Sequence, residues 1–228
     1  MSKAVLISIK PKWVEKIASG EKTVEVRRTA PQLSLPFKCY IYCTRNARDL
    51  EKLWVLNEQR RQEYGGLTAV CANLAERPNC HYCGNGKVIG EFVCDKISEI
   101  WFLPWPHGEY VSDIENLYKA SCIENLYKAS CLNFDEMFSY LGDGGGYGWH
   151  ISDLKIYDKP RELSEFAVAD KEAIRQCEYR EQSYYAFTDT GYIKNGFYCK
   201  KKDDWCFGEC KRKALTRPPQ SYMFVEEV

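Results

Sequence analysis

The residues of this chain best suited to bind an anion or a base edge lie in one short charged segment. Lys22, Glu25 and Arg27 belong to the run Gly20-Glu21-Lys22-Thr23-Val24-Glu25-Val26-Arg27. Arg27 suits bidentate contact with phosphate or carbonyl oxygens, and Lys22 adds a second positive charge. Glu25 either orients a base edge or pairs with its basic neighbours. The period-two alternation therefore predicts a strand carrying either a binding site or a charged surface, whose pairs each contribute about a few tenths of a kcal/mol.

A second candidate group supplies an aromatic surface and further polar contacts. Trp149, His150 and Ser152 follow a glycine-rich loop, and Lys10 lies near the N-terminus. Neighbouring residues in a strand point to opposite faces, so Trp149 and His150 cannot line one surface without a bulge. This spacing favours Trp149 as core or cavity wall. We include all four residues in the predicted binding set.

The charged segment matches the pattern Gly-x-Lys-x-x-Glu-x-Arg, which resembles the signature of ASCH domains, at all four fixed positions. The order of elements around it fits as well, with a strand and helix before it and a strand at 86–92 after it. The runs 149–157 and 215–221 resemble segments of phage and prophage ASCH-like proteins. The resemblance covers residues 3–44, 86–104 and 132–166, and about the last dozen residues.

This resemblance implies an α+β fold, a PUA-like mixed β-barrel with flanking short helices. It also implies binding of single-stranded RNA or a modified nucleotide in a basic and aromatic cleft. A second hypothesis is a hydrolase of modified nucleosides or RNA, with Lys22 and Glu25 as catalytic candidates. Acetylcytidine amidohydrolases of this superfamily carry a pattern resembling Lys-Thr-x-Thr in the same segment. In the present chain, Glu25 stands where the second threonine of that pattern would be. A third hypothesis is a phage-encoded adaptor that binds a host protein.

The distribution of turn-forming residues along the sequence predicts one domain, 1–228, with two insertions. The first, at 45–86, combines a helix with a loop carrying Cys80-x-x-Cys83, and the second, at 177–213, is rich in cysteine and tyrosine. A nonapeptide at 114–122 recurs identically at 123–131. We interpret this repeat as a duplication that lengthens a helix or loop.

The chain contains 12 cysteines, which a reducing compartment leaves as buried thiols or metal ligands. The second insertion holds four of them, and their number fits one tetrahedral structural zinc site. An alternative site combines Cys80 and Cys83 with two of the later thiols. The predicted metal ligands are Cys177, Cys199, Cys206 and Cys210.

Charge and hydropathy narrow the class of protein. The 32 basic residues balance the 32 acidic ones, which disfavours a protein that coats long duplex DNA. A local patch for a short strand, a flipped base or a mononucleotide fits better. The apolar run near the N-terminus is too short for a signal peptide, and no stretch is long enough to span a membrane. The sequence therefore predicts a cytoplasmic protein with no membrane partner.

Overall fold

The computed structural model describes most of the chain as two compact units. The described residues are 3–45, 51–73, 81–103, 108–112, 121–181, 186–188, 191–193, 197–206 and 210–227. The first unit comprises Met1–Glu162 and Pro218–Glu227, and the second comprises Leu163–Arg217.

Strands dominate the first unit, and short helices flank them. Its elements are β1 (Lys3–Ile9), α1 (Pro11–Ala18), β2 (Val24–Arg27), β3 (Phe37–Cys43), β4 (Glu51–Val55), α2 (Glu58–Glu63), β5 (Ala69–Asn73), β6 (Tyr82–Cys83), β7 (Val88–Cys94), β8 (Ile97–Leu103), β9 (Glu109–Ser112), α3 (Ser121–Ser130), α4 (Phe134–Leu141), β10 (Gly146–His150), β11 (Ser152–Arg161) and β18 (Tyr222–Glu226).

The strands of this unit form three sheets. A five-stranded sheet has the order β11-β7-β3-β1-β18, a four-stranded sheet has the order β2-β10-β8-β9, and a three-stranded sheet has the order β5-β4-β6. β1 and β3 pair in parallel, whereas the other pairs are antiparallel. The predicted α+β class is confirmed. The described strands form separate sheets without a closed barrel, so the PUA-like barrel stays a prediction.

The main core joins the five-stranded sheet to α1 and to Trp149 of β10. β1 is buried from Ala4 to Ile9 because other elements cover both of its faces. Helix α1 begins at Pro11, where a missing N–H has no cost, and buries Val14 and Ile17. It ends before Gly20, whose φ of +79° favours glycine, as the sequence predicts.

Three segments differ from the expected elements. The helix of the first predicted insertion is expected at 45–64, but residues 51–55 form β4, because Leu53 and Val55 enter the main core while β4 pairs with β5 and β6. The sequence of residues 147–157 predicts one long strand, whereas the structure divides it between β10 and β11, which lie in different sheets. Asp153, at a φ of +47°, follows the point where the chain passes from one sheet to the other. The sequence of residues 164–176 predicts a helix, whereas the structure has an α-helix only at Lys171–Arg175.

The second unit consists of short paired strands and one short helix. Its elements are β12 (Ala167–Ala169), α5 (Lys171–Arg175), β13 (Ala186–Thr188), β14 (Gly191–Ile193), β15 (Phe197–Cys199), β16 (Asp204–Cys206) and β17 (Arg212–Ala214). The pairs are β12-β17, β13-β14 and β15-β16. The domain arrangement with two insertions stays a prediction.

The second copy of the repeated nonapeptide lies mainly in α3, where Leu126 and Ser130 are buried. The first copy falls mostly outside the described residues. Across the described residues, no helix has the length and apolar character needed to cross a membrane. The cytoplasmic location stays a prediction.

Candidate functional site

Strand β2 places its charged side chains inside the first unit. Glu25 and Arg27 share one face of this strand because side chains alternate. In the neighbouring β10, Trp149 lies opposite Glu25 and Tyr147 lies opposite Arg27. Gly146 permits the close approach, since a Cβ there would lie 2.6 Å from the Arg27 carbonyl oxygen. The two strands thus present two charged and two aromatic side chains on one face.

Glu25 is the centre of a buried ion network. One of its carboxylate oxygens lies 2.9 Å from Arg27 Nη2, and the other lies 3.5 Å from Lys22 Nζ. The exposed fractions of the whole residues are only 2% for Lys22 and 6% each for Glu25 and Arg27. This burial excludes the interpretation of the segment as a charged surface strand. A buried carboxylate shared by two cations requires well-ordered partners to offset its desolvation.

Arg27 also holds the segment that precedes the last strand. Its Nη2 donates to the Ser8 carbonyl at 2.7 Å, and its Nη1 donates to Ser221 Oγ at 3.4 Å. The Ser8 hydroxyl donates to the Pro219 carbonyl at 2.7 Å, and the Ser8 N–H donates to the Ser221 carbonyl at 2.9 Å. These bonds fix residues 219–221 beside β1 and β2.

Lys22 connects β2 with the end of α3. Its Nζ donates to the Ser130 carbonyl at 2.6 Å and lies 5.4 Å from the centroid of the Trp13 ring. Burial lowers the pKa of Lys22 below its ordinary value, and the nearby Glu25 carboxylate opposes that shift only in part. The amine is therefore easier to deprotonate than an exposed lysine.

Two buried donors at this face have no hydrogen-bond partner. They are Nε of Arg27 and Nε1 of Trp149. Trp149 is fully buried and packs edge-on against Tyr222 at 5.1 Å and against Phe37 at 6.0 Å between ring centroids. An unsatisfied buried donor costs about 1–3 kcal/mol, so each one calls for an explanation. Each donor needs an acceptor atom, which a buried water molecule or another bound molecule can supply.

The remaining members of the predicted binding set lie elsewhere. Lys10 is exposed at the N-cap of α1. His150 is on the opposite face from Trp149, as alternation predicts, and its Nε2 lies 3.5 Å from Ser98 Oγ. Ser152 donates from Oγ to the Val93 carbonyl at 2.9 Å. The structure brings Lys22, Glu25, Arg27 and Trp149 into one group, and the binding roles of all seven residues stay predictions.

Four further residues of this group had little or no signal in the sequence. Ser221 belongs to the quoted run 215–221, but nothing in its spacing indicates contact with Arg27. Ser8, Ser130 and Tyr222 enter only through tertiary contacts. Ser8 and Ser130 contact Arg27 and Lys22 through backbone carbonyls, which every residue carries, so the identity of these two serines could not have revealed the role.

A separate cleft of about 210 Å³ lies beside β4 and α2. It includes none of the predicted site residues. Its walls are Val55, Leu56, Asn57, Glu58, Arg61, His81 and Asp158.

The four predicted metal ligands all belong to the second unit, and their role stays a prediction. Cys199 and Cys206 pack together and are buried, and Cys206 Sγ lies 3.9 Å from Cys210 Sγ. Cys177 is buried as well. Every cysteine that the structure describes in full is a free thiol.

Comparisons with known proteins give matches to solved structures alone. No family model and no curated protein matches the chain. The crystal structure of ASCH from Zymomonas mobilis matches at 14% identity with a TM-score of 0.43, covering 98% of this chain and 88% of that chain. A tyrosine-to-phenylalanine mutant, ZmASCH from the same organism, matches at 17% identity with a TM-score of 0.39, covering 71% and 77%. Both similarities are too low to establish a shared fold or function.

Proposed function

We propose that this protein binds the base of a nucleotide or of single-stranded RNA beside β2 and β10. The observation that carries the proposal is the pair of unpartnered buried donors, Arg27 Nε and Trp149 Nε1, on the same face as Glu25. The match of Gly20, Lys22, Glu25 and Arg27 to the ASCH pattern supports the same ligand class. Assignment to the PUA-like superfamily and a phage origin are parts of this proposal that rest on sequence resemblance alone.

A base edge suits this combination of groups. Bases present carbonyl oxygens next to N–H groups, and RNA-binding proteins commonly read such edges on unstacked bases. Arg27 and Trp149 supply donors for the oxygen, while Glu25 accepts from the neighbouring N–H. The aromatic rings of Trp149 and Tyr222 add an apolar wall. A balanced net charge fits a ligand held by one base more than one held by many phosphates.

Two conservative variants test this site. Arg27→Lys keeps the positive charge beside Glu25 but removes Nε, and Trp149→Phe keeps an aromatic ring but removes Nε1. Each change removes one donor to the ligand, worth about 1–3 kcal/mol, so each should weaken binding by roughly 5- to 150-fold. Affinity for a fluorescently labelled short RNA is measured over a salt series, with nucleoside monophosphates as competitors.

Trp54→Phe is the matched control. The Trp54 indole is also buried with an unpartnered Nε1, but it lies in β4, in a different sheet. The control should bind RNA as the unmodified protein does. Equal affinities for all four proteins, or no binding to any strand or nucleotide, would contradict the proposal.

The burial and lowered pKa of Lys22 favour a second candidate function, which is hydrolysis of a modified nucleoside such as N4-acetylcytidine. A buried lysine with a lowered pKa loses its proton more readily than an exposed one and can then accept a proton from an attacking group. Two other carboxylates that could act as an acid or base lie outside the group that contains Lys22. Glu91 accepts from Tyr157 and lies near Lys38 in the five-stranded sheet, and Glu99 is exposed. Lys22 is therefore the base that this candidate requires.

We expect the rate of such a reaction to rise with pH as Lys22 loses its proton, with a midpoint below the ordinary lysine pKa. Formation of cytidine and acetate from N4-acetylcytidine is followed by chromatography, with Lys22→Met as the inactive comparison. Product formation that persists in Lys22→Met, or no product with the unmodified protein, would eliminate this candidate.

A further inference from the structure

The second unit has little apolar material to stabilise it. Apart from cysteines, the hydrophobic residues found buried in its described part are Phe166 and Leu215. Its paired strands are three residues long. Segments this small with so small a core generally depend on disulfides or a metal. The fully described cysteines are free thiols, so their sulfur atoms are available to bind a metal.

The hairpin formed by β15 and β16 brings two thiols to one face. Cys199 lies opposite Asp204, and Cys206 is two residues beyond Asp204 on the same strand. Cys199 and Cys206 therefore point to the same side as diagonal neighbours. The two thiols pack together, with only 3% and 0% of these residues exposed.

The third thiol lies at a distance that fits a shared metal ion. Cys206 Sγ and Cys210 Sγ are 3.9 Å apart. Two thiolates bound to one tetrahedral zinc ion at about 2.3 Å each are about 3.8 Å apart, whereas disulfide sulfurs are about 2.05 Å apart. The observed separation matches the former arrangement.

The fourth thiol is held near the hairpin by a backbone turn. The Cys177 carbonyl accepts from the Arg180 N–H at 3.1 Å, and Arg180 pairs with Cys199 through an isolated β-bridge. Cys177 also lies within electrostatic range of Cys210. Cys177 is thus connected through Arg180 to the hairpin that carries Cys199 and Cys206, and Cys210 lies beside Cys206.

We propose that Cys177, Cys199, Cys206 and Cys210 bind one structural zinc ion that holds the second unit together. A site with four thiolates leaves no open position, so its role is structural. Among the described residues, no three potential ligands are yet arranged to hold a metal. Binding therefore requires the Cys177 and Cys199 thiols to turn toward the pair formed by Cys206 and Cys210. Basic residues at 200–202 and 211–213 balance the net charge of such a site.

Metal content of the full chain, purified without a metal-affinity tag under reducing conditions, tests this proposal. We expect one zinc ion per chain by elemental analysis, and loss of that zinc in Cys206→Ser and in Cys210→Ser. Cys83→Ser is the control, because Cys83 belongs to the first unit and to the alternative ligand set. It should retain the full zinc content.

A second measurement separates ligand loss from misfolding. Cobalt replacing zinc in the unmodified protein should give the thiolate charge-transfer band and strong visible absorption of tetrahedral four-sulfur coordination. Absence of stoichiometric metal in the unmodified protein would overturn the proposal. So would zinc retained in Cys206→Ser and Cys210→Ser, or lost in Cys83→Ser, or a cobalt spectrum without sulfur ligands.

Discussion

Replacement of Glu25 by alanine is expected to lower the free energy of unfolding by about 3–5 kcal/mol. The carboxylate lies between Lys22 and Arg27, and all three residues are nearly inaccessible to solvent. Its removal leaves two buried positive charges facing each other without a counter-charge. Their contacts with the Ser8 and Ser130 carbonyls would remain, but carbonyl dipoles compensate a full charge only in part.

Chemical denaturation of the variant measures this effect, and Glu21→Ala is its matched control. Glu21 also pairs with a lysine, Lys16, at 2.9 Å, but this pair is exposed. Exposed pairs contribute about 0–1 kcal/mol, so the control should change stability little. Equal effects of the two substitutions would show that the Glu25 network does not stabilise the first unit.

Replacement of Trp149 by alanine is expected to lower the free energy of unfolding by about 3–5 kcal/mol. Trp149 is fully buried in the main core and contacts the rings of Phe37 and Tyr222. Truncation removes the apolar burial and the edge-on ring contacts. It also leaves a cavity that the surrounding strands cannot fill. Trp149→Phe retains most of this packing and should cost much less.

Trp101→Ala provides the comparison for Trp149→Ala. Trp101 belongs to β8 and has 41% of its surface exposed, so its removal should change stability by about 0.5 kcal/mol or less. Denaturation midpoints of the two variants are compared under identical conditions. A Trp149→Ala protein as stable as Trp101→Ala would contradict the position of Trp149 in the core.

Local signals explain why parts of the site were predictable from sequence. Pro11 and Gly20 delimit α1, because one fixes φ at a helix start and the other adopts a positive φ after its end. The alternation from Val24 to Arg27 gave β2 and its shared face. Trp149 and His150 point to opposite faces for the same reason. Each of these features depends on residues only a few positions apart.

The burial of the charged group could not be predicted in the same way. Arg27 meets Ser221 across 194 positions of sequence, and Lys22 meets Ser130 across 108. The local sequence of an alternating charged strand predicts exposure to solvent. In the folded protein, these distant segments cover the strand and bury its charges. The helix predicted at 45–64 was wrong for residues 51–55 for a related reason, because pairing with β5 and β6 decides the conformation of that segment.

The most direct test of base binding at this site observes the Trp149 indole N–H itself. In a ¹H–¹⁵N spectrum, the six tryptophans give separate indole signals, and Trp149→Phe and Trp54→Phe assign the two of interest. Addition of pyrimidine and purine nucleoside monophosphates should shift the Trp149 signal saturably and leave the Trp54 signal in place. A Trp149 signal that stays unchanged with every nucleotide, or that moves no more than that of Trp54, would contradict the proposed function.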